Sequence, residues 1–283
     1  MNPPDHSQEP DHALRDSEPP ADGRPIRPCT PMSAVFTCSI DDGHPSDLRA
    51  ADLLARHGLN GTFYVPLHNC EGASVLDRAA IRELDQRFEV GSHTLGHCFL
   101  KHLSAQEARY QVIEGKTRLE DILGRRVQGF CYPGGKYLPE HAELVAHAGF
   151  RYARTTLNLC FDGGSKPFEM PTTFQFYPHG RDVYLRNFLS GGGWGRRREA
   201  LAIALRHADW LDRLYALFDH CVARQGVFHL WGHSQDIDRL DAWDEFGRFL
   251  AYVAQRIPSH NRLSNDELAG RVYLVETAAP LAI

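Results

Sequence analysis

Short apolar runs alternate with longer amphipathic stretches along most of this chain. Residues 33–38 form an apolar, partly β-branched run that reads as a buried strand. A helix capped by Ser46 or Asp47 runs to His57, with Leu48, Ala51, Leu54 and Ala55 on one face and Gly58 placed to end it. The next strand is 61–66, followed by a helix over 77–86 and a strand over 88–92. Ser104 and Glu107 have capping-box spacing and open a long amphipathic helix that ends at Gly124. A strand at 127–132, a helix at 139–148 and a strand at 151–155 continue the alternation.

Periodicity is weaker over 158–187, where 172–176 reads as a strand, and 191–195 reads as a flexible glycine-rich loop. That loop lacks the Gly-Lys-Ser/Thr ending of a phosphate-binding loop. Arg196, Arg197 and Arg198 after it read as a solvated helix entry. A long helix over 199–224, broken near Ala208, leads to a strand at 227–231 that ends at Gly232-His233. A helix over 241–256 and a last strand at 272–275 complete the pattern. Strands alternating with helices predict a parallel sheet, and this length suits a closed or nearly closed barrel.

Composition changes the picture at the N-terminus. Eight of the seventeen prolines lie in residues 1–31, with little that could be buried, so a disordered tail is expected there and a catalytic domain over 32–283. The net charge of −5 gives no general attraction to nucleic acid or to an anionic membrane. No apolar run is long enough to span a bilayer. The polar N-terminus does not read as a secretory signal, and the seven cysteines show no C-x-x-C pair or disulfide framework. A cytoplasmic protein with reduced thiols is expected.

In barrels of this kind chemistry collects at the C-terminal ends of strands. Those ends carry Asp41-Asp42, His93 with His97, Cys131-Tyr132-Pro133, and His233. Neighbouring side chains at a strand end can diverge, so one aspartate can face a metal and the other a substrate. Asp-Gly is also ordinary turn chemistry, and that plainer reading fits the stretch taken alone. His93 and His97, four apart, can turn both rings to one ion. With Asp42 they make three ligands and leave a position open, the composition of a catalytic zinc site.

Asp41-Asp42-Gly43, Ser92-His93-Thr94-Leu95-Gly96-His97 and the late His233 together resemble the polysaccharide deacetylase family, carbohydrate esterase family four. Gly61-Thr62-Phe63-Tyr64-Val65 is similar to its second strand. The resemblance implies a distorted (β/α) barrel of about seven strands, a divalent metal and hydrolysis of an amide on an amino sugar or related compound. It implies Asp41 as general base, Asp42, His93 and His97 as metal ligands, and His233 as late general acid, with His229 a weaker candidate. Zinc is the expected metal, with manganese, cobalt or nickel able to substitute. A backbone N–H near Tyr132 is expected to donate to the oxyanion.

One departure stands out. The family's third motif carries an arginine that orients the catalytic aspartate, and Gly129-Phe130-Cys131-Tyr132-Pro133-Gly134-Gly135 has none. Arg154 and Lys166 are the candidates to replace it, and His44 is a further candidate for substrate contact. A cyclic ureide or imide hydrolase on the same fold, or a metal- or carbohydrate-binding module without catalysis, are the alternative readings. The expected partner is a small-molecule or carbohydrate substrate.

Overall fold

The computed structural model describes residues 33–273. The elements run β1 (Val35–Asp41), α1 (Asp47–Arg56), β2 (Thr62–Val65), α2 (Arg78–Asp85), β3 (Glu89–Ser92) and α3 (Ala105–Leu123). Then come β4 (Gly129–Cys131), α4 (Pro139–His147), β5 (Tyr152–Arg154), β6 (Phe174–Gln175), α5 (Arg181–Gly191) and α6 (Trp194–Arg206). The chain continues through α7 (Trp210–Ala223), β7 (Val227–His233), α8 (Ser234–Arg239), α9 (Trp243–Arg256), β8 (Arg262–Leu263) and α10 (Asn265–Tyr273). Seven strands lie side by side in the order β5-β4-β3-β2-β1-β7-β6, and β8 adds a short pairing to the start of β1. Every pairing is parallel. The sheet curls into a distorted (β/α) barrel. The segment after β5 bridges its open side: Thr155 N–H donates to Met170 C=O at 2.9 Å, and Thr173 N–H to His229 C=O at 2.9 Å.

Strand alternation sorts side chains into two environments. Phe36, Cys38 and Ile40 of β1 and Phe228 and Leu230 of β7 face the helices and join the main core, where Phe36 and Phe228 stack 6.4 Å apart. Residues of the opposite parity carry polar groups into a hydrogen-bonded network. The Thr37 hydroxyl donates to Asn265 Oδ1 at 2.7 Å, and Asn265 Nδ2 donates to the Tyr64 hydroxyl at 2.9 Å. Tyr64 donates to the Tyr152 hydroxyl at 2.9 Å, and Tyr152 to Glu89 Oε1 at 2.7 Å.

Three expectations from the sequence are corrected. The strand expected at 272–275 is a helix as far as it is described: Ser264 and Glu267 cap α10 reciprocally, so its first turn is fixed before Val272 is reached. Residues 274 and 275 lie outside the described residues, as does the expected tail over 1–31. The glycine-rich loop is only a two-residue break: Gly192 and Gly193 take φ of 68° and 61° between α5 and α6, while Trp194 and Gly195 are already helical. The solvated-entry reading fails for Arg197, which is fully buried. Its guanidinium donates to the carbonyls of Asn158 at 2.8 Å, Asn187 at 3.1 Å and Gly192 at 2.7 Å, satisfying the end of α5. Helix α8, not foreseen, begins directly at the end of β7.

Candidate active site

Asp41 is the last residue of β1 and lies inside the barrel, 3% exposed. Asp42 follows with φ of 78°, a left-handed conformation that sends its side chain away from that of Asp41. His97 also has positive φ, 57°, and both are held by surrounding structure rather than by local preference.

Asp42 Oδ1 lies 3.0 Å from His97 Nε2 and 3.4 Å from His93 Nε2. Oδ1 is buried and has no hydrogen-bond partner. A buried carboxylate oxygen left without a donor beside two imidazole nitrogens fits a cation. Ligands about 2.0–2.1 Å from one tetrahedral ion would lie roughly 3.3 Å apart, close to the separations found. His93 Nδ1–H donates to Cys131 C=O at 2.8 Å, which leaves Nε2 bare toward Asp42. Gln235 Nε2 donates to the other Asp42 oxygen at 3.2 Å. Burial opposes ionisation of Asp42, yet the two histidines and His233 hold its carboxyl well below the usual range. Asp41, His93 and Cys131 also cluster. That set suits a cation less well, because burial pushes the Cys131 thiol far above its ordinary value and Arg154 occupies Asp41.

Arg154, at the end of β5, is fully buried and donates from Nη2 to Asp41 Oδ1. Its guanidinium lies between the rings of Tyr64 and Trp231, 5.3 and 4.9 Å from their centroids. Burial alone would lower the Arg154 pKa, but Asp41 and its other neighbours raise it, so the charge is retained. An arginine thus orients the aspartate from a different strand. Lys166 is 68% exposed and pairs with Glu169 at 3.1 Å, away from Asp41.

His233 ends β7 and is the register partner of Asp41 on β1. Its Nδ1 donates to Asp236 Oδ2 at 2.9 Å, and its Nε2 lies 3.9 Å from Asp42 Oδ2. Burial pulls its pKa down, but Asp236, Asp42 and Asp41 outweigh this and push it up to about 9. Asp236 and Gln235 escaped the sequence reading. The one available signal was an acid three residues after the histidine, at the opening of a helix.

Other candidates fall away. His229 is buried inside the barrel, with Nδ1–H to Pro171 C=O at 3.1 Å and Nε2 3.0 Å from the Ser39 hydroxyl. Burial, with Arg154 nearby, holds it well below its ordinary value. That corrects its candidacy as the acid. His44 Nδ1 lies 2.6 Å from the Ser46 hydroxyl in the turn after the site. Tyr132 N–H donates to Arg154 C=O at 3.3 Å, so its expected oxyanion role is corrected: the donor is engaged. The Tyr132 ring stacks on Tyr137 at 4.1 Å, and its hydroxyl donates to Phe168 C=O.

A cavity of about 720 Å³ opens beside Asp41, Trp231 and His233. Lys136 and Tyr137 line it after β4, and Arg186, Asn187 and Ser190 line it from α5.

Fold and site together resemble those of the polysaccharide deacetylases, a family that hydrolyses amide C–N bonds. The family model described as polysaccharide deacetylase matches residues 30–153, so the resemblance carried by Asp41-Asp42 and His93…His97 holds over that span. No curated protein matches the sequence. Among solved structures, one described as a polysaccharide deacetylase from Mycobacterium smegmatis is 17% identical with a TM-score of 0.61, covering 89% of this chain and 95% of that one. The Puue allantoinase is 14% identical with a TM-score of 0.62, covering 93% of this chain and 96% of that one. Both likenesses are of fold. A Streptococcus pyogenes deacetylase solved with acetate is 19% identical, with a TM-score of 0.44 over 48% of this chain. This chain spans 62% of that protein's length, less than two thirds.

Proposed function

We propose that this protein is a metal-dependent hydrolase that removes the acyl group from an N-acyl amino sugar or a similar small amide. The observation that carries the reading is the placement of two proton-transfer groups beside one ligand cluster. Asp41 and His233 are register partners at the ends of β1 and β7, next to Asp42, His93 and His97.

Asp42, His93 and His97 would hold a divalent cation, with zinc favoured by the two imidazoles and one carboxylate, and manganese, cobalt or nickel able to replace it. Such a cation supplies a water acidic enough to act near neutral pH and polarises the amide carbonyl. Asp41 takes the proton of the attacking water. Arg154 fixes the orientation of Asp41 through its hydrogen bond to Oδ1, the part played in the family by the missing third-motif arginine. His233, charged at neutral pH through its bond to Asp236, gives a proton to the leaving nitrogen. Trp231 walls the cavity between them and limits water.

A cavity of about 720 Å³ lined on one side by α5 suits a small substrate. Among the described residues no helix is long and apolar enough to cross a membrane. The six cysteines described there are all free thiols, four of them buried, which suits a reducing cytoplasm. The experiment is turnover by metal-loaded protein on a monomeric N-acetyl amino sugar and on a chitin oligomer series. Activity rising steeply with oligomer length would overturn the small-substrate reading, and no activity on any amide would overturn the reaction. Hydrolysis of a cyclic ureide on the same residues is the second reading, favoured by a fold shared with an allantoinase over 93% of this chain. A ureide in the same panel separates the two.

A further inference from the structure

Two exposed cationic side chains line the candidate substrate cavity without an ion-pair partner. Lys136 stands on the turn after β4, and Arg186 stands on α5. Among the described residues neither Lys136 Nζ nor the Arg186 guanidinium has a hydrogen-bond or ion-pair partner. The carboxylates that line the same cavity are already paired, Asp41 with Arg154 and Glu169 with Lys166. His179, also in the lining, bonds to Gln175 Oε1 at 2.8 Å. Burial first, with the nearby charges of Arg186 and Arg213, keeps it below its ordinary value against Asp236 and Asp182.

The backbone that carries Arg186 is fastened, while its side chain is exposed. Buried Arg197 holds the carbonyls of Asn187, Phe188 and Gly192, immediately after Arg186. Buried Arg213 ties the lead-in to the same helix through the carbonyl of His179 at 2.8 Å. A guanidinium and an ammonium that line one polar cavity, the first on a backbone fastened at both ends, together suit an oxyanion.

We infer that the substrate carries an anionic group, a phosphate or a carboxylate, received between Lys136 and Arg186 while its amide lies at Asp41 and His233. This rests on the amide-hydrolase reading for the position of the amide, but recognition of the anion can be measured without turnover.

The experiment uses the full chain loaded with zinc. Three N-acetyl compounds of similar size are compared for kcat/KM: N-acetylglucosamine, its 6-phosphate and N-acetylmuramic acid, which carries a carboxylate. In parallel, calorimetry measures binding of glucosamine and of glucosamine 6-phosphate, which need no bond cleavage. The inference predicts at least a tenfold preference for one anionic compound over the neutral one. The phosphate and carboxylate arms identify which anion fits. In the Lys136→Gln/Arg186→Gln variant the preference ratio should fall about tenfold or more, chiefly through KM or Kd. Turnover with no preference between neutral and anionic compounds overturns the inference and leaves the hydrolase reading standing. Binding preference without turnover of any amide does the reverse. An anionic preference that survives the double substitution unchanged overturns the assignment to these two residues.

Discussion

Arg154 and Asp41 form a fully buried ion pair between strands β5 and β1, 113 residues apart in sequence. Removing the arginine would leave a carboxylate in the barrel without its cation. Arg154→Met should therefore cost about 3–5 kcal/mol of stability and abolish turnover. Arg154→Lys should restore little, because an ammonium cannot keep the planar contacts with Tyr64 and Trp231. Thermal melts with activity assays on both variants check this; full activity in the lysine variant would show that orientation by the guanidinium is not required.

The two adjacent aspartates should separate cleanly. Asp42→Ala, His93→Ala and His97→Ala should each lose the divalent ion. Asp41→Asn should retain it and lose turnover, since it removes the base and no ligand. Metal analysis after gel filtration reads the result, and equal metal loss in the Asp41 and Asp42 variants would contradict the assignment. Chelation should also lower the melting temperature, because an ion bound only by the folded chain stabilises it by mass action.

The pH profile should carry His233 on its basic limb. Its raised pKa of about 9 means the proton-donating form persists through neutrality, and the rate should fall as pH rises through that value. Asp236→Asn removes the charged partner at 2.9 Å and should move the limb toward lower pH. The stability from this pairing follows the same sign. It is fully present below the unfolded histidine value of about 6.5 and lost as pH rises through the folded one. A basic limb unmoved in Asp236→Asn would remove His233 from the acid role.

His233→Ala should reduce amide hydrolysis strongly and hydrolysis of the matching ester less. A leaving alcohol depends less on protonation than a leaving amine. Equal losses on both substrates would indicate that His233 positions the substrate.

Arg197 should matter for stability and for the α5 side of the cavity together. Arg197→Met leaves the carbonyls of Asn158, Asn187 and Gly192 without their donor, each costing about 1–3 kcal/mol where it stays buried. Lower melting temperature with faster proteolysis near the α5–α6 junction is expected. Unchanged cleavage there would show that other contacts hold α5.

The amino-acid pattern alone set the alternation of strands and helices, because periods of two and of 3.6 are local properties of a chain that must bury one face. It also put His93 four residues from His97 and Asp41 beside Asp42, but bringing Asp42 to the two histidines took the parallel packing of β1, β2 and β3. Where local signals conflicted, the reading was less secure: the capping box at Ser264 and Glu267 outweighed the apolar run that suggested a strand. Packing alone settled which cation meets Asp41, since nothing local distinguishes Arg154 from Lys166 until β5 curls round to face β1. It alone turned Arg197 inward, converting one member of an arginine run into the anchor of α5. It also set His229 inside the barrel and His233 at its mouth, four residues apart on one strand. Pairings of this kind depend on how the sheet curls and on which carbonyls a helix leaves unsatisfied, and both arise only when distant segments pack together.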